Sequence, residues 1–238
     1  MNKAFANDNE INGMIDIHSH VIYGVDDGSE TKEESIEMLE KAYELGTRAI
    51  ICTPHHGEWN EGYDHEKAIS HLNELKAYLA VAHPDMKLFI GNEFYVTEKG
   101  ISTILSDIAA GKASGLAGSH YVLIEFSTKA NYQTILGAVR ALGQEGYFPI
   151  IAHVERYDCL FKKLDLIEEL RKSGAGLQIN AGALIGGRFD KKVKWVNKII
   201  DEGLADYVAS DMHDNKNRPA RDLKAFERYM KQARKVLL

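Results

Sequence analysis

The chain has 238 residues, 45% of them hydrophobic and 27% charged, and a formal net charge of −6. That length buries a core without staples, and the acidic balance argues against the basic face that a nucleic-acid partner requires. No apolar run reaches membrane-spanning length, the polar start over 1–12 has no secretory core, and Cys52 and Cys159 lack a paired spacing. A cytoplasmic protein with free thiols and no membrane-embedded segment is therefore expected.

Residues 1–13 read as a loose arm before a single domain over 14–238, with no linker rich in Pro, Gly or Ser to divide it. A first strand over 14–17 runs into Asp16-Ile17-His18-Ser19-His20. Histidines two apart in extended chain point the same way, so both imidazoles can reach one ion. Asp16 fits a role in orienting a ligand rather than binding an ion. Asp26-Asp27-Gly28 follows in the first loop, where a plain turn is the simpler reading of the pair. Thr31-x-x-Glu34 is a capping box for a helix over 32–45, with Ile36, Leu39 and Tyr43 on one face.

The second strand, 49–53, ends at Thr53-Pro54-His55-His56. Adjacent histidines do not easily serve one ion, so one is expected as a ligand and the other against substrate. After a helix over 64–81, the strand 88–91 leads to Glu93; after another over 101–110, the strand 121–125 ends on Glu125. Helix 132–142 and strand 148–152 precede His153, with Arg156 three residues beyond. Helix 164–172, strand 177–180, helix 191–200 and strand 207–209 complete the alternation, which delivers Asp211-Met212-His213 and then Arg218 before a last helix over 221–236.

Alternating strands and helices of this kind predict an α/β fold, a distorted seven-stranded TIM-like barrel in preference to a doubly wound sheet. Every metal-type residue falls at the C-terminal end of a strand, where such barrels build their sites. Closure of a barrel would bring Asp211 to His18 and His20. Glu93 and Glu125 suit carboxylates shared between two ions, with His153 as nitrogen ligand. One aspartate of the Asp26-Asp27 pair, with His55 and His213, would define a third site.

Three divalent ions set against four carboxylates leave about two positive charges at such a centre. That balance suits a phosphate dianion, for which ions lower the pKa of bound water and neutralise the phosphoryl oxygens. Arg156 and Arg218 are candidate phosphate clamps. A cysteine-nucleophile phosphatase needs an arginine six residues after its cysteine, but Glu58 and Asp165 stand there. The Walker phosphate loop and the Gly-x-Ser-x-Gly nucleophile elbow are also absent from the sequence.

Several segments together resemble the bacterial metal-dependent protein-tyrosine phosphatases of the polymerase-and-histidinol-phosphatase superfamily. They are Met14-Ile15-Asp16-Ile17-His18-Ser19-His20, Gly24-Val25-Asp26-Asp27-Gly28, Thr53-Pro54-His55-His56, Ile151-Ala152-His153-Val154-Glu155-Arg156-Tyr157, Gln178-Ile179-Asn180-Ala181-Gly182 and Ala209-Ser210-Asp211-Met212-His213. Val154 stands where that family usually has proline. The resemblance implies a barrel holding three divalent ions, preferring manganese, while the donor set also accepts iron or zinc. It implies His18, His20, Glu93 and Asp211 on the first ion; Glu93, Glu125 and His153 on the second; Asp27, His55 and His213 on the third. Arg156 and Arg218 would hold the phosphate, and His56 is a candidate donor to the leaving group. The implied substrate is phosphotyrosine on a bacterial tyrosine kinase of capsule or exopolysaccharide production. The rival readings are a small-molecule phosphatase such as one acting on histidinol phosphate, an amidohydrolase, and a metal-binding regulatory protein without turnover.

Overall fold

The computed structural model describes residues 11, 13–58, 60–97, 100–185 and 190–221. The expected arm lies almost wholly outside the described residues, as does the expected last helix beyond Arg221.

Strands and helices alternate as the periodicity predicts, with two strands interrupted. The elements are β1 (Met14–Ser19), α1 (Lys32–Glu44), β2 (Thr47–Cys52), β3 (His55–His56), α2 (His65–Ala82), β4 (Lys87–Ile90), β5 (Glu93–Tyr95), α3 (Gly100–Ala109), β6 (Tyr121–Glu125), α4 (Tyr132–Gln144), β7 (Phe148–Ile151), α5 (Leu164–Lys172), β8 (Gly176–Asn180), α6 (Lys191–Asp201) and β9 (Tyr207–Ala209). All pairings are parallel, in one sheet of order β1-β2-β4 and another of order β3-β5-β6-β7-β8-β9.

The break between β2 and β3 falls at Pro54, which has no N–H to give a ladder. The neighbouring path breaks at Gly91-Asn92, and hydrogen bonds carry the pairing across both gaps: Gly91 N–H donates to Cys52 O at 2.8 Å and Glu93 N–H to Pro54 O at 3.2 Å. Asn92 Nδ2 also donates to Pro54 O, at 3.0 Å. Each interrupted pair therefore follows one path, β2 leading into β3 and β4 into β5. At the far edge, Ser19 and Met212 form a parallel bridge. There His20 N–H donates to Met212 O at 2.8 Å and Asp211 N–H to His18 O at 3.0 Å.

Helices cover the outside. Leu72, Leu75 and Leu79 of α2 pack with Met38 and Leu39 of α1 over β2 and β4. Ile135, Val139, Ile167, Val196 and Ile199 of α4 to α6 cover the second sheet. A smaller apolar cluster of Ile51, Leu123, Ile150 and Ala152, with Ile17 and Phe89 against it, comes from the inner faces of the strands. Because side chains alternate along a strand, Leu123 and Glu125 share a face. The polar strand ends thus stand directly on this inner apolar floor.

Candidate metal centre

β1 and the residue just past its end bring two histidines to one place. His18 Nε2 and His20 Nε2 lie 3.2 Å apart. Glu93 Oε2 is 3.1 and 3.2 Å from them. Asp211 Oδ1 is at 3.3 and 3.6 Å. All four residues are buried. The other ring nitrogens are already engaged: His18 Nδ1 donates to Gln178 Oε1 at 3.1 Å, and His20 Nδ1 to Asp26 Oδ2 at 2.7 Å. Those bonds leave each Nε2 with its lone pair turned inward, beside two carboxylate oxygens. Four converging acceptors in a buried space call for a cation, so the donor set fits a divalent ion.

Around Asp27 a second convergence forms with His20, His55 and His213. His55 Nε2 and His213 Nε2 each stand 3.4 Å from Asp27 Oδ1. His213 Nδ1 donates to Asp211 O at 3.0 Å, and its buried Nε2 has no hydrogen-bond partner among the described residues. The loop approaches this closely because Gly28 has no side chain; a β-carbon there would lie 2.1 Å from His20 O.

The third convergence joins His55, Glu93 and Glu125. His55 Nδ1 lies 2.8 Å from Glu125 Oε1 and 3.3 Å from Glu93 Oε2. His153 Nε2 comes in from the other side, 3.0 Å from Glu93 Oε1 and 3.6 Å from Glu125 Oε2. Sequence reading places His55 on one ion only; its ring stands between two of the clusters.

Protons balance these carboxylates when no ion does. Burial opposes charge on His20, yet Asp26 holds it up to about 9. Burial likewise opposes charge on His55 and His153, which the surrounding carboxylates raise to about 11 and about 9. His213 is pushed the other way, down to about 4, by burial and by the charge on His20. Burial works against the ionised form of Asp211, but His18 and Arg156 hold it below the usual carboxylate range.

The two candidate clamps are seated alike. Asp211 turns Oδ1 to the histidines while its Oδ2 accepts from Arg156 Nη2 at 2.8 Å. Asp27 turns Oδ1 to its histidines while its Oδ2 accepts from Arg218 Nη2 at 3.1 Å. Each carboxylate thus ties one arginine to the cluster. Both arginines line a cleft of about 910 Å³ that also exposes Phe161 and Ile185.

His56 is not brought to this cluster. As the neighbour of His55 in β3 it takes the opposite face. Its ring packs edge-on against Tyr63 and Phe94, with Nε2 3.4 Å from Asp107 Oδ2. Asp16 is buried and acts on backbone: its Oδ1 accepts from His18 N at 3.3 Å and Ser210 N at 3.1 Å. Gln178 and Asp26 hold the outer ring nitrogens of His18 and His20, a part the sequence alone does not give them. Asp26 was visible as half of the Asp-Asp-Gly pair; Gln178 carries no residue-type signal for metals.

Comparison with known proteins follows the same line. Residues 14–236 match the family described as capsular polysaccharide synthesis, CpsB/CapC. CapC of Staphylococcus aureus is 37% identical over 237 residues, covering 94% of this chain and 91% of its own. Tyrosine-protein phosphatase CpsB of Streptococcus pneumoniae is 31% identical, covering 94% and 89%. Among the solved structures of YwqE from Bacillus subtilis and CpsB from Streptococcus pneumoniae, metal-dependent tyrosine phosphatases, one chain matches with a TM-score of 0.80 at 28% identity, covering 92% of this chain and 87% of that one. With the matched segment running from β1 to beyond Arg218 and so containing every member of the cluster, the chain belongs to the CpsB/CapC family of capsular polysaccharide synthesis.

Proposed function

We propose that this chain is a metal-dependent protein-tyrosine phosphatase of capsule or exopolysaccharide synthesis. One observation carries the reading: Asp211 and Asp27 each present one oxygen to a histidine cluster and the other to an arginine at the same mouth. A phosphate dianion seated there meets cations on both sides.

The reading extends to three divalent ions, with manganese preferred, held by His18, His20, Glu93 and Asp211; by Glu93, Glu125 and His153; and by Asp27, His55 and His213. When bound, the ions supply a nucleophile from water and neutralise phosphoryl charge. The chain's own part is orientation. Arg156 and Arg218 hold the equatorial oxygens, and the carboxylate anchors keep both guanidiniums in place as negative charge develops. Phenolate leaves without a proton from His56, which faces away.

We read the parallel paths and the Ser19–Met212 bridge as a distorted seven-stranded TIM-like barrel within one domain over 14–238. The size of the cleft and its exposed apolar wall favour a protein tail over a small substrate such as histidinol phosphate. The proposed partner is a tyrosine-phosphorylated bacterial kinase tail, met in the cytoplasm. Among the described residues no helix is long and apolar enough to cross a membrane.

The test is purified protein reloaded separately with manganese, iron and zinc, assayed on phosphotyrosine peptide, phosphoserine peptide and histidinol phosphate. Selective turnover of the first, greatest with manganese, is expected; equal turnover of all three refutes the tyrosine reading. Asp211→Ala is expected to lose metal and activity together, and undiminished hydrolysis in that variant removes the catalytic assignment.

A further inference from the structure

β8 supplies no metal-type residue, yet it lies between β7, which leads into His153, and β9, which leads into Asp211. Gln178 and Asn180 are two apart on this strand and share its inner face. Both are buried, Gln178 wholly so.

Their amides form a chain with one direction. Gln178 Oε1 accepts from His18 Nδ1 at 3.1 Å and from His153 N–H at 2.9 Å. Gln178 Nε2 donates to Asn180 Oδ1 at 2.8 Å. Asn180 Nδ2 donates to Asp211 Oδ2 at 2.5 Å, the oxygen that also takes Arg156. Neither amide can be reversed. Turning Gln178 would set its NH₂ against the His153 N–H, and turning Asn180 would aim a carbonyl at a carboxylate.

The backbone singles out the same ligands. His153 has φ 33° and Asp211 φ 52°, left-handed conformations that non-glycine residues hold only when the surroundings over-determine them. One end of the amide chain bonds the first residue, and the other end bonds the second.

We propose that Gln178 and Asn180 are positioning residues that form one unit, fixing the tautomer of His18 and the strained placement of His153 and Asp211. Through them the ligands of the first and second proposed ions, and the phosphate-facing Arg156, share one hydrogen-bonded frame. The proposal rests on the metal-centre part of the function reading. It does not depend on phosphotyrosine being the substrate.

The test measures Mn²⁺ affinity of the full chain by competition with a chelator, for Gln178→Met, Asn180→Leu and the double variant. Each single change is expected to weaken binding about 10–100-fold. The double should lose no more than about threefold beyond the weaker single, because coupled residues are non-additive. Singles that bind within about twofold of the parent, or a double whose losses multiply, overturn the unit. Gln178→Glu keeps the acceptor for His18 and His153, gives up the donor to Asn180 and adds one negative charge, so its affinity is compared with that of Gln178→Met at equal ionic strength. It guards against misfolding of the Met variant and is expected to bind at least about fivefold more tightly than Gln178→Met. Equal binding by the two refutes the proposal.

Discussion

His55 and His56 show how much turns on a single position. Both read as site residues in the sequence, but alternation in β3 sends the first to the clusters and the second to Tyr63, Phe94 and Asp107. A general acid contributes about 10²–10⁴-fold, so His56→Gln, which faces away, is expected to keep kcat/KM on phosphotyrosine peptide within about threefold of the parent. A hundredfold loss would return His56 to the mechanism. The imidazoles that do face the clusters imply a pH dependence. With no ion bound, His20 and His153 are raised to about 9 and His55 to about 11, so all three carry protons at neutral pH. A metal takes only the neutral ring and must displace those protons. Metal affinity is therefore expected to rise with pH toward about 9, with protons released to buffer on binding. Calorimetry in two buffers of different ionisation enthalpy checks this, and an identical heat in both would contradict it. The same raised values stabilise the ion-free protein fully below the ordinary histidine pKa, a contribution lost as pH climbs through about 9. The residues of the candidate clusters were legible because His, Asp and Glu recur together where strands end. The parts played by Asp26 and Gln178 were not, since a partner that orients a ring announces itself only by hydrogen bonds formed across the fold.

At the scale of elements, caps and strand interruptions mark where local chemistry agrees with the fold. Thr31 Oγ1 accepts from Glu34 N–H at 3.2 Å as the capping box predicts, while Glu34 Oε2 reaches one residue further back, to Glu30 N–H at 3.0 Å. Thr31→Ala is expected to cost about 1 kcal/mol, read as a fall in Tm of about 2–4 °C; an unchanged Tm would mean the cap is idle. The buried face of α1 is Ser35, Met38, Leu39 and Ala42, with Ile36 and Tyr43 only partly covered. Hydrophobicity alone misjudges that stripe because Ser35 is hidden by donating to Ser29 Oγ at 2.9 Å. The short strands β3 and β5 were missed for a related reason. Their residues are His55-His56 and Glu93-Phe94-Tyr95, in which three of the five carry an imidazole or a carboxylate, so apolar patterning ends before the ladder does.

For the whole molecule, the candidate clusters gather side chains from both sheets, so an ion bound there would tie the sheets together. An ion present at a hundred times its Kd adds about 2.7 kcal/mol of stability. Stripping the metals with a chelator is therefore expected to lower Tm by about 5–10 °C and to abolish hydrolysis, both restored by manganese. A Tm indifferent to chelation would mean that the ions contribute chemistry without holding the sheets. The α/β class and the order of elements were readable from periodicity, which is a local signal. The division into two sheets was not, because it depends on where Pro54 and Gly91-Asn92 stop two ladders in step.

The bridge between Ser19 and Met212 has a consequence for how the protein is made. Asp211 and His213 belong to the last described stretch of chain, and they complete clusters begun by His18 and His20. Contacts of such long sequence separation form late. A nascent chain emerging from the ribosome can therefore display its early histidines but cannot assemble the first or the Asp27 cluster. An ion taken up at either cluster would therefore have to wait until the segments around His18 and Asp211 have met.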